Sequence, residues 1–457
     1  MKRWLFIGFV GAAMAYGAQA EAEVEEALDP AQAMRPLQLG GGSASRFYTG
    51  TEFNPAISVI LDFTYAHITD DVYEPDGFGL GGHSHGHGHD HDHGVSEGFT
   101  LREIELTMTG TVDPYFDAMA TIAFSADHVE VEEAFITTRS LPVGLQVKAG
   151  QFLSDVGYIN SQHEHDWLFV DQPWMREHFF SDEGLNEKGV QLSWLPPTPT
   201  YVRLGAEVLE GKTDGIANYV GDGDHEIVTI LPDNGVPERN RWRAHKGFDE
   251  KDGPRLFTGF AKIGPDIGYN HALQLGTFGG YSRLMQIEEA HSSGRLETWD
   301  GDGWFAGLDA VYKYDGQGVM GHRNVIVQGE YIYRQLDLDY RSQQFENFSS
   351  LVTTNANGQR WKQDGLYVQG VYGFAPRWNI GARTDVLGLN NDGFAGRGTA
   401  ESFDTSYRYS GQISYAPTEF SRLRAQVNYE DVGHDEDAWM FVLQYNMSLG
   451  VHGAHTF

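Results

Sequence analysis

The sequence predicts an all-β protein, a transmembrane antiparallel β-barrel of about sixteen strands with long outer loops and short periplasmic turns. Three observations lead there: an export signal followed by no long apolar run, repeated segments of period-two alternation, and connections that are short and long by turns. Composition agrees. The 457 residues include 56 Gly, 22 Tyr, 27 Phe and 10 Trp, but no Cys, so disulfide scaffolds, thiolate metal sites and cysteine catalysis are excluded. With 64 acidic and 32 basic residues the formal charge is −32, which repels phosphate backbones and argues against nucleic-acid binding.

Residues 1–20 read as a signal peptide. Lys2 and Arg3 open it, Trp4 to Tyr16 is a short apolar run, and Ala18-Gln19-Ala20 is a small-x-small cleavage site, so cleavage is expected near Ala20. Losing two basic residues takes the charge from −32 to −34. No later stretch is apolar enough for a transmembrane helix, which leaves a free exported protein or an outer-membrane barrel in a Gram-negative bacterium. Residues 21–55 form a short N-terminal periplasmic segment, and 56–457 the barrel.

The strands are expected at 56–68, 98–112, 115–126, 128–138, 143–153, 188–195, 200–210, 255–264, 270–282, 303–314, 323–335, 364–375, 377–387, 405–416, 419–430 and 438–449. Ile57, Val59, Leu61, Phe63 and Tyr65, for example, alternate with Ser58, Asp62 and Thr64. Turns such as Asp113-Pro114 and Ala375-Pro376 mark one side. The connections 69–97, 154–187, 211–254, 283–302, 336–363 and 388–404 mark the other. The last strand alternates Trp439, Phe441, Leu443, Tyr445 and Met447 and shares its parity with the terminal Phe457. This resembles the signal read by the barrel assembly machinery.

Such a wall has one face for outer-membrane lipid and one for water. Glu103, Glu105, Lys148, Glu330, Arg334, Arg383, Asp385, Arg408, Arg422, Arg424 and Glu430 fall on the inner parity, and a wet lumen makes the barrel porin-like. Arg408, Arg422 and Arg424 are candidates for a basic ladder, with Glu103 and Glu105 as acidic lumen residues. The loop 154–187 carries Phe169, Val170, Trp174, Met175, Phe179 and Phe180, an apolar load that predicts inward packing as a constriction loop. Sixteen-stranded porins are often trimers, and by that analogy alone a homotrimer is a candidate assembly; the sequence does not give the oligomeric state.

Two histidine groups point to metal. In the outer loop 69–97, His83, His85, His87, His89, His91 and His93 alternate with Ser, Gly, Asp90 and Asp92; imidazole suits zinc, copper and nickel, and the Gly spacers imply several weak, interchanging sites. In the loop 154–187, His163, His165 and Asp166 form a second candidate set, with Asp171 and His178 close in sequence. There is no Gly-x-Ser-x-Gly elbow and no His-Glu-x-x-His helix, and no enzyme activity is expected. No obligatory cofactor is expected either; zinc or a related divalent ion is the anticipated ligand.

Several stretches carry a resemblance: Phe53-Asn54-Pro55-Ala56 through Asp62, Val131-Glu132-Glu133-Ala134-Phe135, Leu145 to Gln151 with Gly157-Tyr158, and Gln162-His163-Glu164-His165 followed by Phe169-Val170-Asp171-Gln172-Pro173. Gly189-Val190-Gln191-Leu192 and the last strand continue it. The chain resembles a proteobacterial family of outer-membrane proteins often labelled zinc-regulated or TonB-dependent receptors, which implies an outer-membrane location and a link to metal supply. A receptor of that type has about twenty-two strands and a plug. Residues 21–55 are too short for one, so the expectation is a porin-like barrel. The expected function is passive passage of small hydrophilic solutes, assisting uptake of zinc or other divalent metals. A general porin with incidental metal binding, a TonB-dependent-type metal receptor and a surface metal-sequestering protein are the alternatives.

Overall fold

The computed structural model describes residues 55–69, 74–78, 95–125, 129–231, 238–291, 295–346, 350–395, 399–433 and 436–450. Residues 1–20, expected to be a signal peptide, most of the segment 21–55, the His83–His93 tract and Phe457 lie outside the described residues.

Nineteen strands follow in order: β1 (Ala56–Ile68), β2 (Gly98–Thr111), β3 (Phe116–Phe124), β4 (Val129–Thr138), β5 (Leu145–Leu153), β6 (Asn186–Trp194), β7 (Tyr201–Leu209), β8 (Asp224–Leu231), β9 (Glu238–His245), β10 (Leu256–Gly264), β11 (His271–His291), β12 (Arg295–Tyr314), β13 (Val325–Glu346), β14 (Ser350–Ala375), β15 (Trp378–Ala395), β16 (Thr399–Ser402), β17 (Ser406–Thr418), β18 (Ser421–Gly433) and β19 (Glu436–Gly450). Neighbours pair antiparallel, and β1 pairs with both β2 and β19, which closes the sheet. β8 and β9 form a separate hairpin, and the short β16 pairs with the far end of β15 beyond the part that pairs with β17, so that β16 and β17 share one stave. Sixteen staves therefore make a closed antiparallel barrel. Closure leaves no unpaired edge, the condition for a sheet in hydrocarbon.

The barrel is inside out relative to a water-soluble protein. Leu308 is 59 % and Val368 53 % exposed on the outer face, whereas Arg383 and Asp385 are 2 % and 0 % exposed on the inner one. Alternation alone produces this split, because successive side chains leave opposite faces of the sheet. Aromatic side chains gather at both rims: Trp378 packs at a tilt against Tyr415 (ring centroids 4.7 Å apart) at the short-turn end, and Tyr429 against Trp439 (5.0 Å) at the long-loop end. Such girdles mark the two lipid–water interfaces.

Three connections expected as loops, 283–302, 336–363 and 388–404, are largely strand. β11 to β15 run far past the membrane-spanning length. Met285, Ile287, Trp299, Leu336, Leu338, Tyr340 and Trp361 pack together on this extension. Their burial holds the ladders together where a polar loop would part from the sheet.

Candidate functional site

Inside the barrel lies the connection from β5 to β6. It begins at Ser154, whose Oγ donates to Glu207 (2.5 Å), and Asp155 takes hydrogen bonds from Gln191 (2.8 Å) and Arg203 (2.6 Å). Gly157 then turns at φ +67°; a Cβ there would collide with the Glu330 carboxylate. That close approach lets Tyr158 N–H and Ile159 N–H donate to Glu330 (3.1 and 2.7 Å) while Lys262 donates to Gly157 O (2.8 Å). Further on, Arg422 donates to His165 O (2.5 Å), Arg424 to Trp167 O (2.7 Å), Arg102 to Val170 O (2.7 Å) and Arg408 to Gln172 O (2.6 Å). The contacts to Gly157, Tyr158, Ile159, His165, Trp167, Val170 and Gln172 each satisfy a backbone group that a buried loop would otherwise leave orphaned.

Asp171 is the centre of the far end. It accepts from Arg383 (2.8 Å), Gln426 (2.5 Å) and Asn428 (2.8 Å) and ion-pairs with Arg408 at 3.3 Å. Burial alone would raise its pKa, but Arg383 and Arg408 reverse that and hold the carboxyl well below the usual range. Asp155 is depressed in the same way, with Arg203 and Lys148 outweighing burial. The chain then enters α1 (Trp174–Phe180), all of whose residues are buried, with Trp174 N–H donating to Asp385 (3.0 Å). Phe152, Val156, Ile159, Trp167, Met175 and Phe180 belong to one apolar cluster within the barrel together with wall residues Phe260, Phe278 and Phe305. The helix α2 (Asp214–Ala217), from the β7–β8 connection, adds Ile216 and Ala217 to it.

The candidate basic ladder faces the lumen, but its three guanidiniums are engaged. Arg408 meets Asp171, Asp385 and Glu430, while Arg422 and Arg424 grip loop carbonyls. They position the loop and do not line an open wall.

The second histidine group meets acidic wall residues. His163 Nε2 is 2.8 Å from Glu133 Oε2, and its Nδ1 lies 3.5 Å from Glu132 Oε2 and 3.8 Å from Glu105 Oε2. His165 Nδ1 is 2.9 Å from the same Glu105 oxygen, and the two imidazoles stack 5.7 Å apart. Asp166 sits on the other side of His165, 3.7 Å from Nε2. Thr107 donates to the remaining Glu105 oxygen at 2.6 Å. Burial pushes both imidazoles down, yet Glu105 leads a set of carboxylates that holds them above the ordinary histidine value. Burial raises the nearby Glu164 carboxyl, although Arg102 opposes it.

Two bulges build this corner. Against β1, the register shifts by one between Asp62/Glu103 and Phe63/Leu101, so Arg102 is the extra residue in β2. Against β3, it shifts between Thr121/Glu133 and Ile122/Val131, so Glu132 is the extra residue in β4. Strict alternation would send Glu132 and Glu133 to opposite faces; the bulge re-aims Glu132 towards His163. Sequence reading named His163, His165, Glu103 and Glu105 but missed Glu132 and Glu133. The signal available was an acidic pair inside an otherwise alternating strand.

No family model matches the chain. Among solved structures, it is similar to OmpTdeltaL8, a loop deletion mutant of OmpT, an outer membrane protein of Vibrio cholerae (11 % identity, 86 % of this chain and 99 % of that one, TM-score 0.48). It is similar also to the outer membrane channel DcaP of Acinetobacter baumannii (12 %, 87 % and 96 %, 0.46) and to Pseudomonas putida OprB (11 %, 87 % and 94 %, 0.45). In sequence, an Aquifex aeolicus chain described as "Uncharacterized protein" is 35 % identical over 456 residues, 94 % of this chain and 87 % of that one. The chain belongs to one family with this Aquifex aeolicus relative.

Proposed function

We propose that the protein is an outer-membrane channel for small hydrophilic solutes, divalent metal ions such as zinc among them, whose cross-section is set by the loop between β5 and β6. One observation carries the reading. A membrane-facing barrel devotes its inner wall to charged side chains, and these hold a loop laid across the lumen. Such residues are costly in lipid and cheap beside water. The surplus of carboxylates concentrates cations near the mouth, and weak imidazole sites such as the His83–His93 tract favour divalent metals while still releasing them.

The test is planar-bilayer recording of the purified mature chain. Discrete conductance steps that prefer cations and respond to micromolar zinc are expected. Steps indifferent to zinc would leave a general porin. A second reading has its own support: the apolar cluster formed by loop and wall suits a closed barrel that sequesters metal at the surface. Zinc binding without any conductance would favour it over the channel.

A further inference from the structure

We infer that Glu105, Glu132 and His163 form a binding site for one divalent transition-metal ion, which ties the inner loop to the barrel wall. The inference deepens the channel reading and shares its premise of metal traffic through the lumen. Geometry comes first. The three ligand atoms, Glu105 Oε2, Glu132 Oε2 and His163 Nδ1, all lie within 4.8 Å of one another. Bonds of about 2.0–2.2 Å in tetrahedral array require ligand atoms roughly 3.3–3.6 Å apart. The Glu132–His163 separation of 3.5 Å already matches, and the Glu105–His163 separation of 3.8 Å needs a small closure.

Orientation comes second. His163 presents Nδ1 to the site while Nε2 faces Glu133 at 2.8 Å. A ligating histidine commonly donates its other N–H to a carboxylate, which fixes the tautomer and makes the ligand more basic. Glu105 is similarly braced, with Thr107 on one oxygen and the other turned to the site. His165, on that same oxygen, is placed either to orient it or to complete the coordination.

Charge comes third. Glu132 Oε2 and the neighbouring Glu103 Oε1 are buried and receive no hydrogen bond. Among the described residues, no Lys or Arg forms an ion pair with Glu105, Glu132 or Glu133; Arg102 turns instead to Asp62 and Glu164. A divalent cation taking the place of the His163 Nδ1 proton adds positive charge among these carboxylates and gives Glu132 Oε2 a ligand bond. Mixed imidazole and carboxylate donors suit zinc, nickel or manganese more than calcium. The other His–carboxylate group, Glu289, His291 and Glu297, is a weaker candidate because Arg295 already pairs with Glu297 at 3.1 Å.

The test uses the mature chain lacking residues 83–93, so that the histidine tract contributes nothing. After chelation and dialysis against zinc, it is expected to retain one zinc per chain. His163→Gln and Glu132→Gln are expected to lose at least a hundredfold in affinity, and Glu133→Gln ten- to a hundredfold. His291→Gln is expected to bind as the parent does. Heat-modifiable migration on gels checks that each variant keeps its barrel. Cobalt on the parent needs no variant: visible bands of a nitrogen–oxygen site support the proposal, and the spectrum of aqueous cobalt overturns it. Zinc is further expected to slow tryptic cutting after Arg176 at least tenfold. A tract-less chain free of zinc, or His163→Gln with parental affinity, overturns the site. Zinc bound without conductance defeats the channel reading alone; conductance without bound zinc defeats this site alone.

Discussion

Replacing Asp171 by Asn should release the inner loop while leaving the barrel standing. The substitution keeps the shape but removes the charge shared by Arg383 and Arg408, both buried. Asp385 still reaches the two arginines at 2.9 and 3.1 Å, and Glu430 stays 3.7 Å from Arg408, so each guanidinium loses one carboxylate and keeps at least one. Breaking a buried pair by removing one partner costs about 3–5 kcal/mol when the other charge is left alone, and the carboxylates that remain put this case at about the low end. At about 1.4 kcal/mol per decade, the undocked population should rise by roughly two orders of magnitude. Trypsin reads this directly. Arg176 is the one Lys or Arg between Ser154 and Glu187, it is buried, and its guanidinium lies over the Trp167 ring. Where opening is fast relative to cutting, the appearance of the fragment ending at Arg176 tracks the open population. A rise of about a hundredfold or more is expected, with heat-modifiable migration unchanged. A cleavage rate within threefold of the parent would refute the claim that this ion-pair network holds the loop.

Other perturbations follow from the same geometry. Gly157→Ala combines left-handed backbone with a collision at Glu330, so it should weaken docking by about 1–3 kcal/mol and speed the same cut by roughly ten- to a hundredfold. Asp171 and Asp155 have folded pKa values below their unfolded ones, so their contribution is complete above the ordinary carboxylate range and lost only as pH falls through the lowered values. The difference in unfolding midpoint between the parent and Asp171→Asn, which isolates the Asp171 share, should therefore stay constant from about pH 7 to pH 4 and shrink only in stronger acid. Leu308→Arg, in the middle of the lipid face, should destabilise the barrel by about 2–4 kcal/mol in denaturant titrations from vesicles, whereas Val319→Arg at the short-turn rim should cost at most about 1 kcal/mol.

The barrel was legible because its rule is local. Ser58, Asp62 and Thr64 alternate with apolar neighbours over a bilayer's thickness, and each of the expected spans coincides with a barrel stave. The extension of β11 to β15 was not, since its alternation is irregular around Met285 and Trp299 and its core forms between distant strands. The loop's apolar load was visible, but its anchors were not: Arg408 and Asp171 meet across 237 positions of sequence only after the sheet closes. Glu132 was hidden for a sharper reason, because a bulge is a departure from the very periodicity used to assign faces.

The unequal stave lengths give the mouth a direction. β14 has 26 residues and β3 only 9. Some 15 residues beyond what a bilayer needs, rising about 3.4 Å each on a tilted strand, lift one arc of the rim by roughly 35–40 Å. The opening is thus hooded like a scoop. Its low side lies at β3 and β4, where the acidic bulge stands, and its high side at β14.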